Sequence, residues 1–337
     1  MIPHNRPTIG DEERLAVERA LSSHWLAQGR EVEAFENEVC SFLGLPPAHA
    51  VAVSSGSAAL YIALWALGAK RKTVALPVYA CTAMPNAVAL AGGTPRFLDV
   101  AAAGPNVDPA TLASENADIA VAAHMFGIPA VLSRKDIPLI EDCAQAFGAR
   151  VGGVAAGLQG DIGVYSFYAT KLMTAGGQGG MVVSKDRALI DVMRDYRAFD
   201  QREDRSPRFN FQITDLQAAV GRAQLGKMPA FIARRAEIFA RYRDMGFPLL
   251  DAPAPAAPVR YRAVVKTTRP EAVIAALAAK DIRAIVPVET RELLDTPASY
   301  PAAEALTRTS VSLPLYPTLT GADVDHILAA VHDAGRL

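Results

Sequence analysis

From residue 50 onward the chain alternates short apolar runs with longer amphipathic ones. Ala50–Val53 predicts a buried strand, Ser54–Ser57 a turn, and Ala58–Leu67 a helix closed by Gly68. Further strands are expected at Val74–Leu76, Arg96–Val100, Ile119–Ala123, Leu139–Asp142, Val164–Phe167 and Met181–Val183, with a helix over Met84–Ala91. Strands alternating with helices predict an α/β fold with a mostly parallel sheet covered on both faces. Residues 10–44 read as two helices broken by a turn at Trp25–Gly29. Asp191–Asp204 is charged and reads as partly loop, and helices are expected at Ile213–Leu225 and Ala230–Asp244. The Pro/Ala segment 251–258 reads as a linker. It divides a large domain, 1–245, from a small α+β domain, 251–337. The small domain is expected to hold strands at Tyr261–Lys266 and Arg283–Val286 and helices at Pro270–Ala279 and Asp323–Ala334.

Composition narrows the function classes. Lys+Arg (34) balance Asp+Glu (35), which leaves no electrostatic footprint for nucleic acid or an anionic membrane. The uncharged stretch 73–95 is interrupted by Pro77, Pro85 and Gly92-Gly93, so it reads as core elements and not as a membrane span. No apolar signal segment opens the chain, and Cys40, Cys81 and Cys143 form no CxxC pair or disulfide framework. Both points suit a cytoplasmic protein. The six histidines show no metal-ligand spacing, so no metal site is expected.

Sheets of this kind bind ligands at the carboxyl ends of their strands. Three polar features fall at that edge: the turn Ser54–Ser57, the run Asp142–Gln145, and Lys171. Lys171 lies between the run Val164–Phe167 and the glycine cluster Gly176–Gly180. Desolvation there favours a neutral amine able to attack a carbonyl, and the chemistry it suggests is a Schiff base with pyridoxal phosphate. Backbone N–H groups and hydroxyls at Ser54–Ala58 would cradle a phosphate, or the serine simply caps a helix. Asp142, ending an apolar strand, would pair a pyridinium N–H, or cap the next helix. Glu141 points to the other face and reads as structural. Ser166 offers a second hydroxyl, Asn210 is a candidate contact or a turn residue, and His124 faces either the site or the core.

Taken in order, these pieces resemble the DegT/StrS family of nucleotide-sugar aminotransferases, which have the aspartate-aminotransferase-like fold. The resemblance runs through His4–Pro7, Trp25–Gly29, Ser54–Leu60, Glu141–Gln145, Ser166–Lys171, Gly177–Gly180, Phe209–Ala219 and Ser312–Pro317. It implies that Lys171 carries the Schiff base and shuttles a proton. Asp142 would pair the ring nitrogen, and Gln145 would contact the phenolic oxygen. Gly56, Ser57 and Ser166 would bind phosphate, and Asn210 would reach the cofactor of the partner in a homodimer. Glutamate or glutamine would give its amine to the cofactor in a ping-pong cycle, and a keto sugar, nucleotide-linked, would receive it. Relatives with dehydratase activity carry His at the lysine position, and residue 171 is Lys. The alternatives are a keto-sugar dehydratase of the same fold that uses pyridoxamine phosphate, which the lysine disfavours, and a cofactor-binding regulatory protein with little turnover.

Three departures from the family pattern stand out. Cys81 occupies the position of an aromatic ring that stacks on the cofactor, with Tyr79 expected on the same face of an extended segment. Gln178 replaces an acid. Val286–Glu289 replaces a His-Tyr-Pro segment of the sugar site, and the loop after it is trimmed.

Overall fold

The structure is a computed structural model that describes residues 1–102, 104–114, 116–132, 136–252 and 254–334. In chain order the elements are α1 (Asp11–Ser22), α2 (Arg30–Leu43), β1 (Ala50–Val53), α3 (Gly56–Ala66), β2 (Thr73–Pro77), α4 (Ala83–Leu90), β3 (Thr94–Leu98), α5 (Pro109–Ser114), β4 (Ile119–Ala123) and β5 (Leu139–Asp142). There follow β6 (Arg150–Val151), β7 (Val154–Ala155), β8 (Ile162–Ser166), β9 (Gly180–Val183), α6 (Arg187–Arg197), α7 (Asp215–Asp244), β10 (Ala256–Ala257) and β11 (Ala263–Lys266). The last four are α8 (Pro270–Ala278), α9 (Pro301–Thr309), β12 (Ser310–Leu313) and α10 (Gly321–Asp333).

Seven strands form one sheet in the order β1-β9-β8-β5-β4-β2-β3. Only β9 runs against the rest, antiparallel to both β1 and β8. The remaining neighbours pair in parallel. Strands β1, β4 and β5 are buried along their whole length; β1 and β4 are the continuous apolar runs of a doubly covered sheet, while β5 ends in Glu141 and Asp142. Their carboxyl ends share one edge with that of β8, and this edge holds the candidate residues.

Strands β10, β6 and β7 form a small antiparallel sheet, and a third, two-stranded sheet pairs β11 with β12 antiparallel. It packs with α8 and α10 into a core that includes Val265, Leu277, Leu313 and Ile327. The expected strand at Arg283–Val286 does not form. Ile282 and Ile285 make only isolated bridges, to Ile2 and Ser312. Arg283–Val286 meets the second edge of β12 at one point, where the Ser312 N–H donates to the Ile285 carbonyl at 2.8 Å.

The expected break between residues 225 and 230 is also absent, and α7 runs unbroken for 30 residues through Pro229. A proline removes one backbone hydrogen bond and crowds the preceding turn. Here Leu225 and Met228 before it and Phe231 after it are all buried in one cluster, which holds the helix through the fault. Thr214 caps α7: its hydroxyl accepts from the Gln217 N–H at 3.2 Å. Farther along, Arg235 is 2% exposed. Its Nη1 donates to the carbonyls of Leu315 (2.7 Å) and Tyr261 (3.2 Å), fastening α7 to both segments. Helix α6 extends the order of the charged stretch to Arg197. Its buried Arg197 pairs with Glu36 and donates to the Ala52 carbonyl at 2.7 Å.

Candidate active site

Asp142 ends β5 and is 9% exposed. Its Oδ1 accepts the Ala144 N–H at 2.8 Å. Burial raises its pKa above the ordinary carboxylate value, and the Ala144 N–H, Lys171 and His124 oppose that only in part. Lys171 is therefore close enough to act on Asp142 electrostatically. It sits half-buried on the turn after β8, its N–H bonded to the Tyr168 carbonyl at 2.9 Å. Its Nζ lies 5.8 Å from the ring centre of Tyr261.

The start of α3 forms the other wall. Ser55 caps it by accepting the Ala58 N–H at 3.1 Å, and Gly56 and Ser57 open the first turn. Gly56 is required by closeness: a Cβ there would lie 2.8 Å from the Ser166 Cβ at the end of β8. The structure thus brings Gly56, Ser57 and Ser166 together. The segment before α7 joins them, since the Ser54 N–H donates to the Phe211 carbonyl at 2.8 Å. Asn210 is exposed beside this strap, its Oδ1 accepting the Gln212 N–H at 3.0 Å. Gln145 is held by accepting the Phe126 N–H at 2.7 Å, and its Nε2 lies 3.9 Å from the Met125 sulfur.

Three further expectations are settled by the geometry. Glu141 and His124 belong to the core. His124 is 1% exposed; its Nδ1 accepts the Ala130 N–H at 2.9 Å, so its Nε2 carries the proton donated to Glu141 at 2.9 Å. Backbone N–H groups of Gly157, Gln159 and Gly160 also donate to Glu141. Burial alone would raise the Glu141 pKa, but these donors hold it below the ordinary value. With its oxygens so engaged, Glu141 has no lone pair to spare for a cation, although the ligand atoms of His124, Glu141 and Cys143 lie within 4.8 Å of one another.

Tyr79 and Cys81 do not share a face. The chain bends at Tyr79 and Ala80, and a bent segment loses the two-residue alternation of a strand. Cys81 is exposed, while Tyr79 is fully buried with its ring 6.1 Å from Phe126, perpendicular to it. The exposed Gln178 uses its backbone: its carbonyl accepts from Gln217 Nε2 at 3.1 Å.

No sequence pattern marks Tyr261 and Arg262 as site residues, and the resemblance at His4–Pro7 assigns His4 and Asn5 no role. Asn5 Nδ2 donates to the Thr170 carbonyl at 2.7 Å, beside Lys171. His4 Nε2 lies 2.9 Å from Ser312 Oγ and 3.3 Å from Arg262 Nη1. Burial, then Arg262 and Arg283, lower the His4 pKa from 6.5 to about 3. The folded chain thus keeps His4 neutral where the unfolded chain protonates it, and stability falls as pH drops below 6.5 toward 3. The slope is at most about 1.4 kcal/mol per pH unit. Thermal melts at about pH 7.5 and about pH 5 should show a smaller loss in His4→Gln than in wild type; equal losses would exclude His4 as the cause.

Comparison with known proteins decides the family. A family model described as the DegT/DnrJ/EryC1/StrS aminotransferase family matches residues 7–332. The chain belongs to this aminotransferase family. Among curated members, the spore coat polysaccharide biosynthesis protein SpsC of Bacillus subtilis is 30% identical, over 98% of this chain and 96% of that protein. The dTDP-3-amino-3,4,6-trideoxy-alpha-D-glucose transaminase of Micromonospora megalomicea is also 30% identical, over 94% and 93%. The solved structure of the aminotransferase TlmJ from Streptoalloteichus hindustanus superposes with a TM-score of 0.91 at 27% identity, covering 99% and 98%. The fold is thus that of the sugar aminotransferases. No helix among the described residues is long and apolar enough to cross a membrane.

Proposed function

We propose that this family member is a pyridoxal-phosphate-dependent transaminase that moves an amino group from glutamate or glutamine to a keto sugar, nucleotide-linked as in the transaminase relative's name. One observation carries the reading: Asp142, a buried carboxylate at the carboxyl edge of the sheet, lies within reach of the charge of Lys171. A desolvated carboxylate is stabilised by a cation, and a protonated pyridine nitrogen would supply one. The cradle fits as well, since Gly56 leaves only the room that a missing Cβ provides against Ser166.

In this reading each residue has a defined task. Gly56 and Ser57 offer N–H groups at the start of α3, and Ser166 a hydroxyl, to a phosphate; the helix dipole favours that charge. Gln145, fixed through its oxygen by Phe126, presents Nε2 to a ring oxygen. Asp142 keeps the ring nitrogen protonated. When bound, pyridoxal phosphate supplies an electron sink for the carbon that bears the amine. Lys171 Nζ takes the proton from that carbon and returns it. Asn210, exposed beside Phe209 at 57% exposure, would serve the site of a second chain in a homodimer. Cys81 borders the cofactor and stacks less well than an aromatic ring.

The test is spectroscopic. Protein mixed with the cofactor should gain an absorbance band near ~420 nm, shift it on adding glutamate, and recover it with the right keto sugar nucleotide. A colourless protein after mixing would reject the reading. Gly56→Val should lower cofactor retention on gel filtration by about 10–100-fold, the usual effect of forcing methyls into a filled space. Retention equal to wild type would remove Gly56 from the cradle.

A further inference from the structure

Phe126 stands in the left-handed region, at φ 61° and ψ 15°. A bulky residue adopts that conformation only where its surroundings enforce it. Of the non-glycine residues with positive φ among the described ones, Phe126 is the buried one. Three neighbours enforce the turn. Asn106 braces it from two sides: its Oδ1 accepts the Met125 N–H at 2.8 Å, and its Nδ2 donates to the Ile128 carbonyl at 2.9 Å. The segment leading into β11 clasps it. There the Val259 N–H donates to the Gly127 carbonyl at 3.0 Å, and the Arg262 N–H to the Phe126 carbonyl at 3.3 Å. Gly127 admits that segment because it lacks a side chain: a Cβ would lie 2.6 Å from the Tyr261 nitrogen.

The third neighbour is Gln145, whose Oε1 accepts the Phe126 N–H at 2.7 Å. A backbone N–H can only donate, so the amide atom that faces it is the oxygen. The orientation of the whole amide follows from that one bond. Nε2 is left with a weak acceptor, the Met125 sulfur at 3.9 Å. An amide donor with capacity to spare thus lies three residues beyond Asp142, past the carboxyl end of β5. The φ and ψ of a residue fix the angle between its N–H and its carbonyl. The left-handed turn is therefore what lets Phe126 face Gln145 with one group and Arg262 with the other.

We propose that the turn at Phe126, braced by Asn106, positions Gln145 so that its Nε2 donates to the ring oxygen of the cofactor. The inference rests on the transaminase reading and specifies it further. Phe126 and Asn106 are positioning residues, because they act through Gln145. A freely rotating amide would present its oxygen to the ring oxygen as readily as its nitrogen, and two acceptors repel. A turn held by three neighbours stops that rotation, so the donor is in place before the ring arrives. The donor has a measurable effect. It weakens the hold of the ring oxygen on the proton shared with the Lys171 nitrogen, so that proton leaves at lower pH.

The experiment follows the ~420 nm band of protein mixed with pyridoxal phosphate as pH is raised. Asn106→Ala should raise the pH at which the band fades by about 0.5–1 unit, equal to about 3–10-fold in proton affinity. Gln145→Ala should raise it by at least as much. In the Gln145→Ala background, Asn106→Ala should then add almost nothing, because the group it positions is gone. A merely structural Asn106 would lower the melting temperature in both backgrounds alike and leave the midpoint where it was. Should Asn106→Ala fail to fold, Asn106→Ser decides by the same criteria, since its shorter hydroxyl cannot bridge Met125 and Ile128 together. The proposal is overturned if the midpoint of the Asn106 variant equals that of wild type, or if the shift persists in full without Gln145. A wild type that gains no band overturns the transaminase reading and the proposal with it. A wild-type band with an unmoved midpoint in the variant overturns the proposal alone.

Discussion

Replacing Lys171 by alanine should abolish the ~420 nm band and lower kcat/KM by about 10⁴-fold or more, because one amine serves as both attachment point and proton carrier. Lys171 sits on a turn, half-buried, with its N–H tied to Tyr168 and its neighbour Thr170 tied to Asn5. Deleting the side chain leaves these backbone bonds in place. The variant should therefore fold normally, with a melting temperature within a few degrees of wild type, as expected where no buried packing is lost. A variant that keeps the band, or that transaminates at wild-type rate, would place the chemistry on another residue. Added primary amines would restore part of the lost rate if the deficit is the missing proton carrier alone.

The second large effect is expected at Asp142. Asp142→Asn should lower kcat by about 10²–10³-fold while the protein still takes up the cofactor, since the amide cannot hold a charge opposite the ring nitrogen. The same variant separates stability from catalysis. In protein stripped of the cofactor, burial raises the Asp142 pKa above 3.8. The folded chain then retains a proton that the unfolded chain releases, so stability falls as pH rises from 3.8 through the raised value. A cation beside the carboxylate removes that penalty. Cofactor should accordingly raise the melting temperature of wild type near neutral pH more than that of Asp142→Asn. Equal shifts would mean that Asp142 does not face the ring nitrogen.

The strands are legible where both of their faces are buried. β1 and β4 match the apolar runs residue for residue, because a covered parallel strand shows its burial as unbroken hydrophobicity. Lys171, Asp142, Gly56 and Ser166 are legible because strand ends and turns mark the sheet edge where they meet. Other features depend on partners distant in sequence. Arg262 reads as an ordinary basic residue until His4, 258 positions away, is placed against it. Tyr79 departs from its expected face because a bend turns it into the core, and no periodicity signals a bend. Pro229 reads as a stop because local chemistry says so, whereas buried side chains on both sides of it outweigh that preference. The Arg283–Val286 strand fails the other way round: a good local pattern meets the free edge of β12 only at Ile285.

Helix α7 has a consequence for how the molecule holds together. At 30 residues it is about 45 Å long. Its first half contributes Ala218, Leu225 and Met228 to the core beside the large sheet. Its second half contributes Ile238, Phe239 and Tyr242 to the core of the small one. The two cores therefore share one beam, with the Arg235 bonds as a rivet between them. Loosening either core frays a hydrogen-bond ladder on which the other also rests. The large and small parts are therefore joined mechanically by α7 as well as by the Pro/Ala segment.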